Sequence, residues 1–476
     1  MSGARMICMR KTFLALILMG LLLVTLPSNG SAAETGFNWK AMEDEAVVLL
    51  SRYIQIDTTN PPGNEIKAAQ FFKEIFDREG IESLIIESAP GRGNIYARLR
   101  GNGSKKAIVM LNHMDVVAAE TKLWKEPPFS GLIKDGMIWG RGALDAKGRA
   151  ISELMTLLAL KRQSVALKGD VIFLGTADEE AGGAMGAGYL VEKRLELFKD
   201  VGLVLNEGGG IRLRDDGQAP SYRVRVAEKT PLWLKLTAPG TPGHGSTPGS
   251  NMAVNKLVAA LNRIMQYNAP IKVVPEVQQY YADIADQEPE ARRKHYRDLR
   301  TSLQDTAFAA EFTKNGQNNA SVRNTIAITG IKGSDNVNVI PAFATAQLDV
   351  RLLPGEDPQA FIADLRKVLA DESIKIEIIL SFPLTMSLPH PEAMKVIAEM
   401  AKAVDGGAPV ISMFGNAFTD CHFFREKGIP CLGFIPLRST PSEEGMTHGI
   451  DERLSVDKLK SGIRAMYEIV RKLAAE

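Results

Sequence analysis

Past its first segment the chain carries a regular hydrophobic rhythm. Short apolar runs, "AIVMLNHMD" from Ala107, "VIFLGTADEE" from Val171 and "VGLVLNEGGG" from Val201, are separated by stretches with helical spacing. A continuous apolar run between helices predicts a strand buried on both faces, hence a largely parallel sheet covered by helices on each side. Helices are expected from Trp39 to about Phe76, interrupted by the loop "DTTNPPGNE", from near Ala146, and from about Met185 to Phe198.

A second pattern begins near Lys229. "LWLKLTAPG", "NTIAITGIKG", "FATAQLDVRLL" and "IKIEIILSF" read as strands, while "NMAVNKLVAALNRI" and "DPQAFIADLRKVLAD" read as helices, the latter with Asp357 and Pro358 at its start. The order β-α-β-β-α-β predicts a ferredoxin-like unit. A charged, helix-prone insertion runs from about Asn268 to Gln317, and after "SFPLTMSLPHPEAM" the first pattern resumes. The expected organisation is an α/β catalytic domain in two parts, 34–228 and 385–476. Between them lies an inserted ferredoxin-like α+β lid and dimerisation domain, 229–384.

Residues 1–33 stand apart. Arg5, Arg10 and Lys11 precede an apolar run from about Thr12 to Leu26, which ends before Ser31, Ala32 and Ala33. Those are the basic, apolar and small-residue regions of a secretory signal peptide. The run is shorter than the roughly 20 residues a membrane span requires, so cleavage near Ala33 and export are expected over a retained anchor. The whole chain has a net charge of +1; loss of residues 1–33 removes three basic and no acidic residues, leaving −2. A nearly neutral chain offers no field for nucleic acid. Of three cysteines, Cys8 lies in the signal; Cys421 and Cys431 admit either a bridge or two buried thiols.

Parallel sheets place their working residues at the C-terminal ends of the strands. Here each such end carries groups that bind metals: His113 and Asp115, then Glu179 and Glu180, then Glu207. Asp145 in "GRGALDAKG" and His448 in "THGIDERL" complete a set of five ligands: His113, Asp145, Glu180, Glu207 and His448. Two divalent ions need one bridging ligand and two further ligands each, which five residues satisfy. Asp115, two residues from His113, points the same way and can orient its ring. Glu179 is left free beside Glu180 as a general base for an activated water. Taken singly, each feature has a plainer reading: a structural histidine, an acidic helix start, a glycine turn. Their joint occurrence on consecutive strand ends favours a metal site, which would supply the positive partner for the acidic run at Asp178–Glu180.

The ordered motifs "NHMDVV", "WGRGALDAKG", "TADEEAGG", "LNEGGG", "GHGSTP", "NVIPAFATAQLDVRLLPG", "TDCHFFREKGIP" and "THGIDERL" resemble the co-catalytic zinc exopeptidases and deacylases. That family includes aminoacylase, glutamate carboxypeptidase and acetylornithine deacetylase. The resemblance extends from about residue 40 to the C-terminus and is strongest to the carboxypeptidase S branch, which includes secreted enzymes acting on N-fatty-acyl amino acids. It implies that His113 and Glu207 hold one metal and Glu180 and His448 the other, with Asp145 bridging and Glu179 as base. It further implies a cis bond after Asp145, and His244 as a donor to the reacting oxyanion, in its own subunit or across a homodimer. Zinc is the expected metal, with cobalt and manganese compatible.

Arg351 is a candidate fork for a substrate carboxylate, and Asn324 and Thr419 are further candidate substrate contacts. Two departures bear on specificity: Asn206 precedes Glu207 where relatives often have Asp, and Cys421 and His422 stand where small residues and Arg are commoner. The expected activity is hydrolysis of a peptide or N-acyl amide bond next to a free carboxylate. A dipeptidase, or a non-catalytic binding protein on the same fold, is the alternative.

Overall fold

The computed structural model describes residues 36–476; the expected signal peptide lies outside the described residues. Eight strands form the main sheet, in the spatial order Glu82–Glu87, Gly93–Leu99, Val171–Thr176, Ala107–His113, Val201–Arg212, Cys431–Ser439, Ser221–Glu228 and Val410–Gly415. The four strands from Val171–Thr176 to Cys431–Ser439 run parallel. The edges bring antiparallel partners, so the sheet is mixed with a parallel centre. Every residue of Ala107–His113 and Val171–Thr176 is buried, as the unbroken apolar runs require.

Helix Lys147–Arg162 is buried continuously from Lys147 to Leu160, under helices Trp39–Ile54 and Val456–Ala475. On the other face Leu190, Phe198, Cys421 and Phe424 join a core with Val109, Leu111, Ile172 and Leu174. The stretch expected to be one helix from Met185 to Phe198 is instead a short helix, Ala187–Lys193, and a separate turn, Leu195–Phe198. Cys421 and Cys431 form a disulfide between helix Cys421–Glu426 and strand Cys431–Ser439.

The second sheet has the order Thr325–Lys332, Phe343–Leu352, Thr230–Pro239, Lys375–Ser381, antiparallel throughout. Helices Ala253–Gln266 and Pro358–Leu369 supply Leu257, Leu261, Phe361 and Leu365 to the core with Leu232, Leu234 and Leu348. Asp357 caps the second of these helices by accepting from the Gln359 and Ala360 amides, a contact worth about 1 kcal/mol. The charged insertion folds into short helices, of which Pro275–Ile284 packs on strand Val410–Gly415 of the main sheet. Among the described residues no helix is long and apolar enough to cross a membrane.

Candidate metal centre and active site

His113 is the last residue of its buried strand and is 2% exposed. Its Nε2 lies 2.9 Å from Asp145 Oδ1 and 3.7 Å from Glu207 Oε2. On the other side of Asp145, its Oδ2 lies 3.2 Å from His448 Nε2, which is also 3.2 Å from Glu180 Oε2. The five residues therefore form two ligand groups, each with one imidazole and carboxylate oxygens, and each facing a different oxygen of Asp145. Glu180 Oε1 is buried with no hydrogen-bond partner. An N/O donor set of this kind, with buried acceptor capacity left over, fits two divalent ions. The Asp145–Ala146 peptide is cis.

The site concentrates carboxylates around the two imidazoles. Burial pushes the Glu179 carboxyl well above its usual range, and the Glu207 charge adds to this. Burial and the neighbouring Asp145 likewise push Glu180 up to about 7. Burial opposes protonation of His113, but Glu207, Asp115 and Asp145 outweigh it and hold the imidazole well above its ordinary value. Hydrogen bonds to Asp145 and Glu180 push His448 up to about 10.

Asp115 acts differently from the expectation. The His113 Nδ1 is 3.0 Å from the main-chain carbonyl of Asp115, nearer than its carboxylate at 3.5 Å. The carboxylate instead accepts from the amides of Glu179 and Glu180, both at 3.1 Å, and from Asn60 Nδ2 at 2.8 Å. It fixes the turn that carries Glu179 and Glu180. Asp178, in left-handed conformation at φ 72°, has its own positive partner: Arg92 Nη2 at 2.9 Å, itself paired with Glu65.

The sequence carried no pairing signal for Glu452. Fully buried, it accepts from Arg141 and from the amides of Gly142, Leu144 and Asp145. Arg141 also reaches the His448 carbonyl. The clasp joins the loop of Asp145 to the loop of His448. Asn206 accepts from buried Arg149, which also bonds Glu153; the neutral amide beside Glu207 is thus a partner for a cation beneath the ligands.

The ligand carboxylates open into a cavity of about 1410 Å³ shared with Glu179, Arg351 and Thr419. Arg351 spends Nε and Nη2 on Asp349, at 2.6 and 2.9 Å, and stacks over Phe418, leaving Nη1 without a partner. The Thr419 hydroxyl donates to Glu228 at 2.8 Å. Two expected contacts do not line this cavity. Asn324 is consumed structurally, donating to Glu356 and accepting from the Leu353 amide. His244 is exposed on the two-residue strand Gly243–His244, paired antiparallel with the distant strand Val339–Ile340, and bonds Ser246.

The model of peptidase family M20/M25/M40 matches residues 109–472, which include all five ligand-type residues. The chain belongs to that family, and it is a hydrolytic enzyme. It is 27% identical to the human N-fatty-acyl-amino acid synthase/hydrolase PM20D1, over 96% of this chain and 95% of that protein. It is 25% identical to pig aminoacylase-1, over 91% and 96%. Among solved structures, the metallo-carboxypeptidase Sso-CP2 of Sulfolobus solfataricus superposes with a TM-score of 0.68 at 20% identity, over 90% of this chain and 99% of the other. The last of these likenesses concerns the fold.

Proposed function

We propose that this M20-family hydrolase cleaves an amide bond, peptide or N-acyl, next to a free carboxylate. The observation that carries the reading is the division of Asp145, one oxygen facing His113 and Glu207, the other facing His448 and Glu180. His113 and Glu207 would hold one divalent ion, Glu180 and His448 the other, with Asp145 bridging. Bound there, two ions (zinc in this reading, with cobalt or manganese as substitutes) polarise the scissile carbonyl and lower the pKa of the attacking water. Glu179 takes the proton of that water on its carboxylate and returns it to the leaving amine nitrogen, so the C–O bond forms as the C–N bond breaks. Glu179 is buried at the wall of the cavity that Asp145, Glu180 and Glu207 also line.

Arg351 would meet the substrate carboxylate through its free Nη1, and the Thr419 hydroxyl lies on the same cavity wall. The segment 229–384 is read as a lid inserted into the catalytic domain, and His244, outside the cavity, is assigned to the site of a second copy in a homodimer. Export is supported by the Cys421–Cys431 disulfide, a bond of oxidising compartments. The test is hydrolysis of N-acetyl, N-long-chain-acyl and dipeptide substrates after chelation and metal return, with Glu179→Ala as control. Metal-dependent cleavage lost in the variant is the expected result; metal binding without cleavage of any substrate would sink the reading.

A further inference from the structure

The glycine run after Glu207 is unexplained by the metal site, since Val201–Arg212 continues as a strand through it and makes no turn. What the glycines admit is an arginine. A Cβ on Gly208 would lie 2.3 Å from the Arg225 guanidinium carbon, and a Cβ on Gly415 would lie 2.5 Å from its Nε. Gly208 also has φ +99°, which other residues rarely adopt. Arg225 thus occupies a slot between two glycines, one of them adjacent in sequence to a metal ligand. Its Nε donates to the Gly208 carbonyl at 3.0 Å.

Arg223 lies two residues away on strand Ser221–Glu228, hence on the same face. Both line the cavity that contains Asp145, Glu179 and Glu207. Other arginines of that wall are neutralised: Arg212 pairs with Glu444, Arg438 with Asp405 and Arg351 with Asp349. Arg223 and Arg225 are not. Among the described residues Arg223 has no carboxylate within 4.0 Å; its Nη1 donates to the Tyr280 hydroxyl at 2.8 Å and its Nε to Ser221. Arg225 has only Glu228 at 3.9 Å, and that carboxylate already serves Thr419 and Arg425. Burial pushes the Arg223 guanidinium below its usual value. Arg223, with no carboxylate of its own, and Arg225, with one distant and shared carboxylate, are partly buried cations that cost stability unless a ligand supplies an anion.

We propose that Arg223 and Arg225, with the Tyr280 hydroxyl, form an anion-binding subsite beside the metal centre, so that the enzyme selects amide substrates carrying a second carboxylate. This rests on the amide-hydrolase reading above. The cavity, larger than the roughly 300–1,000 Å³ of common ligand pockets, has room for a substrate that spans both places. The second carboxylate belongs either to an acidic amino acid or to a dicarboxylic acyl group, and the guanidinium chemistry is the same for both.

The metal-loaded full chain is assayed with two pairs, N-acetylglutamate against N-acetylglutamine and N-succinyl-leucine against N-butyryl-leucine. The acidic member of one pair is expected to be favoured in kcat/KM by about tenfold or more, and the pair that shows it locates the second carboxylate. In Arg223→Gln and Arg225→Gln that preference falls by about tenfold, towards no preference, the effect of losing a charged hydrogen-bond partner, and Arg225→Lys retains part of it. Cleavage without preference, or a preference unchanged in the variants, overturns the subsite and leaves the hydrolase reading intact. If the wild type cleaves none of the four, the hydrolase reading is judged by the broader panel above and the subsite is judged by binding. Calorimetric titration with glutarate then decides: binding lost in both glutamine variants supports the subsite, and absent or unaltered binding overturns it.

Discussion

The two histidines that meet Asp145 are held in opposite ways. His113 ends a strand with every residue buried, and its Nδ1 is fixed by a carbonyl two residues on. The His448 side chain is half-exposed, in a left-handed backbone conformation at φ 61°, on a loop secured to the core through Arg141 and Glu452. One half of the centre is therefore part of the sheet and is present whenever the sheet is folded. The other half depends on a clasp between loops far apart in sequence. The halves share Asp145, so their difference should appear in metal occupancy before it appears in the fold.

The sharpest comparison is His113→Ala against His448→Ala. Each is expected to weaken metal binding by more than the roughly 10- to 100-fold that outer residues cost. His448→Ala should keep one ion per chain after gel filtration, while His113→Ala loses both and melts earlier. Equal losses would erase the asymmetry. Glu179→Gln removes the base without touching either half: kcat should fall about 10²- to 10⁴-fold with two ions retained, as measured by elemental analysis. Retained turnover would remove Glu179 from the chemistry.

Outer contacts should give smaller effects, sorted by half. Asp115→Asn loses acceptor capacity for the Glu179 and Glu180 amides, and Glu452→Gln loosens the Asp145 and His448 loops. Each is expected to cost about 10- to 100-fold in activity, with Glu452→Gln alone releasing the His448-side ion at limiting metal. The smallest signal is protonic. Both imidazoles are held above their ordinary value by the neighbouring carboxylates, His448 up to about 10. Metal ligands must be deprotonated, so affinity rises as pH rises, and binding at pH 7 should release protons, His448 alone supplying about one per chain. Calorimetry in two buffers of different ionisation enthalpy measures this, and a release near zero would refute it.

Legibility followed sequence distance. Ligand-type residues at strand ends could be read because a buried parallel strand is an unbroken apolar run and the next polar group must lie at its end. The second sheet could be read from its element order, and the start of helix Pro358–Leu369 from Asp357 and Pro358. The roles of partners could not. Asp115 looked like the orienter of His113 from its spacing, yet two amides sixty-odd residues away claim its carboxylate. Asn324 was a plausible substrate contact until Glu356 and Leu353 took its side chain. The acidic run Asp178–Glu180 turned out to have two kinds of partner, Arg92 for Asp178 and the candidate metal groups for Glu180.

By itself, then, the sequence determined the alternation of elements, the parallel centre and the set of groups able to bind metal, because those depend on local hydrophobicity and residue type. Tertiary structure decided which oxygen of Asp145 faces which histidine, that Cys421 and Cys431 bond, and that Gly208 and Gly415 make a slot for Arg225. Each of these is a distance between segments remote in the chain. Hydrogen bonds and ion pairs act over a few ångströms, and only the closed fold brings such segments that near.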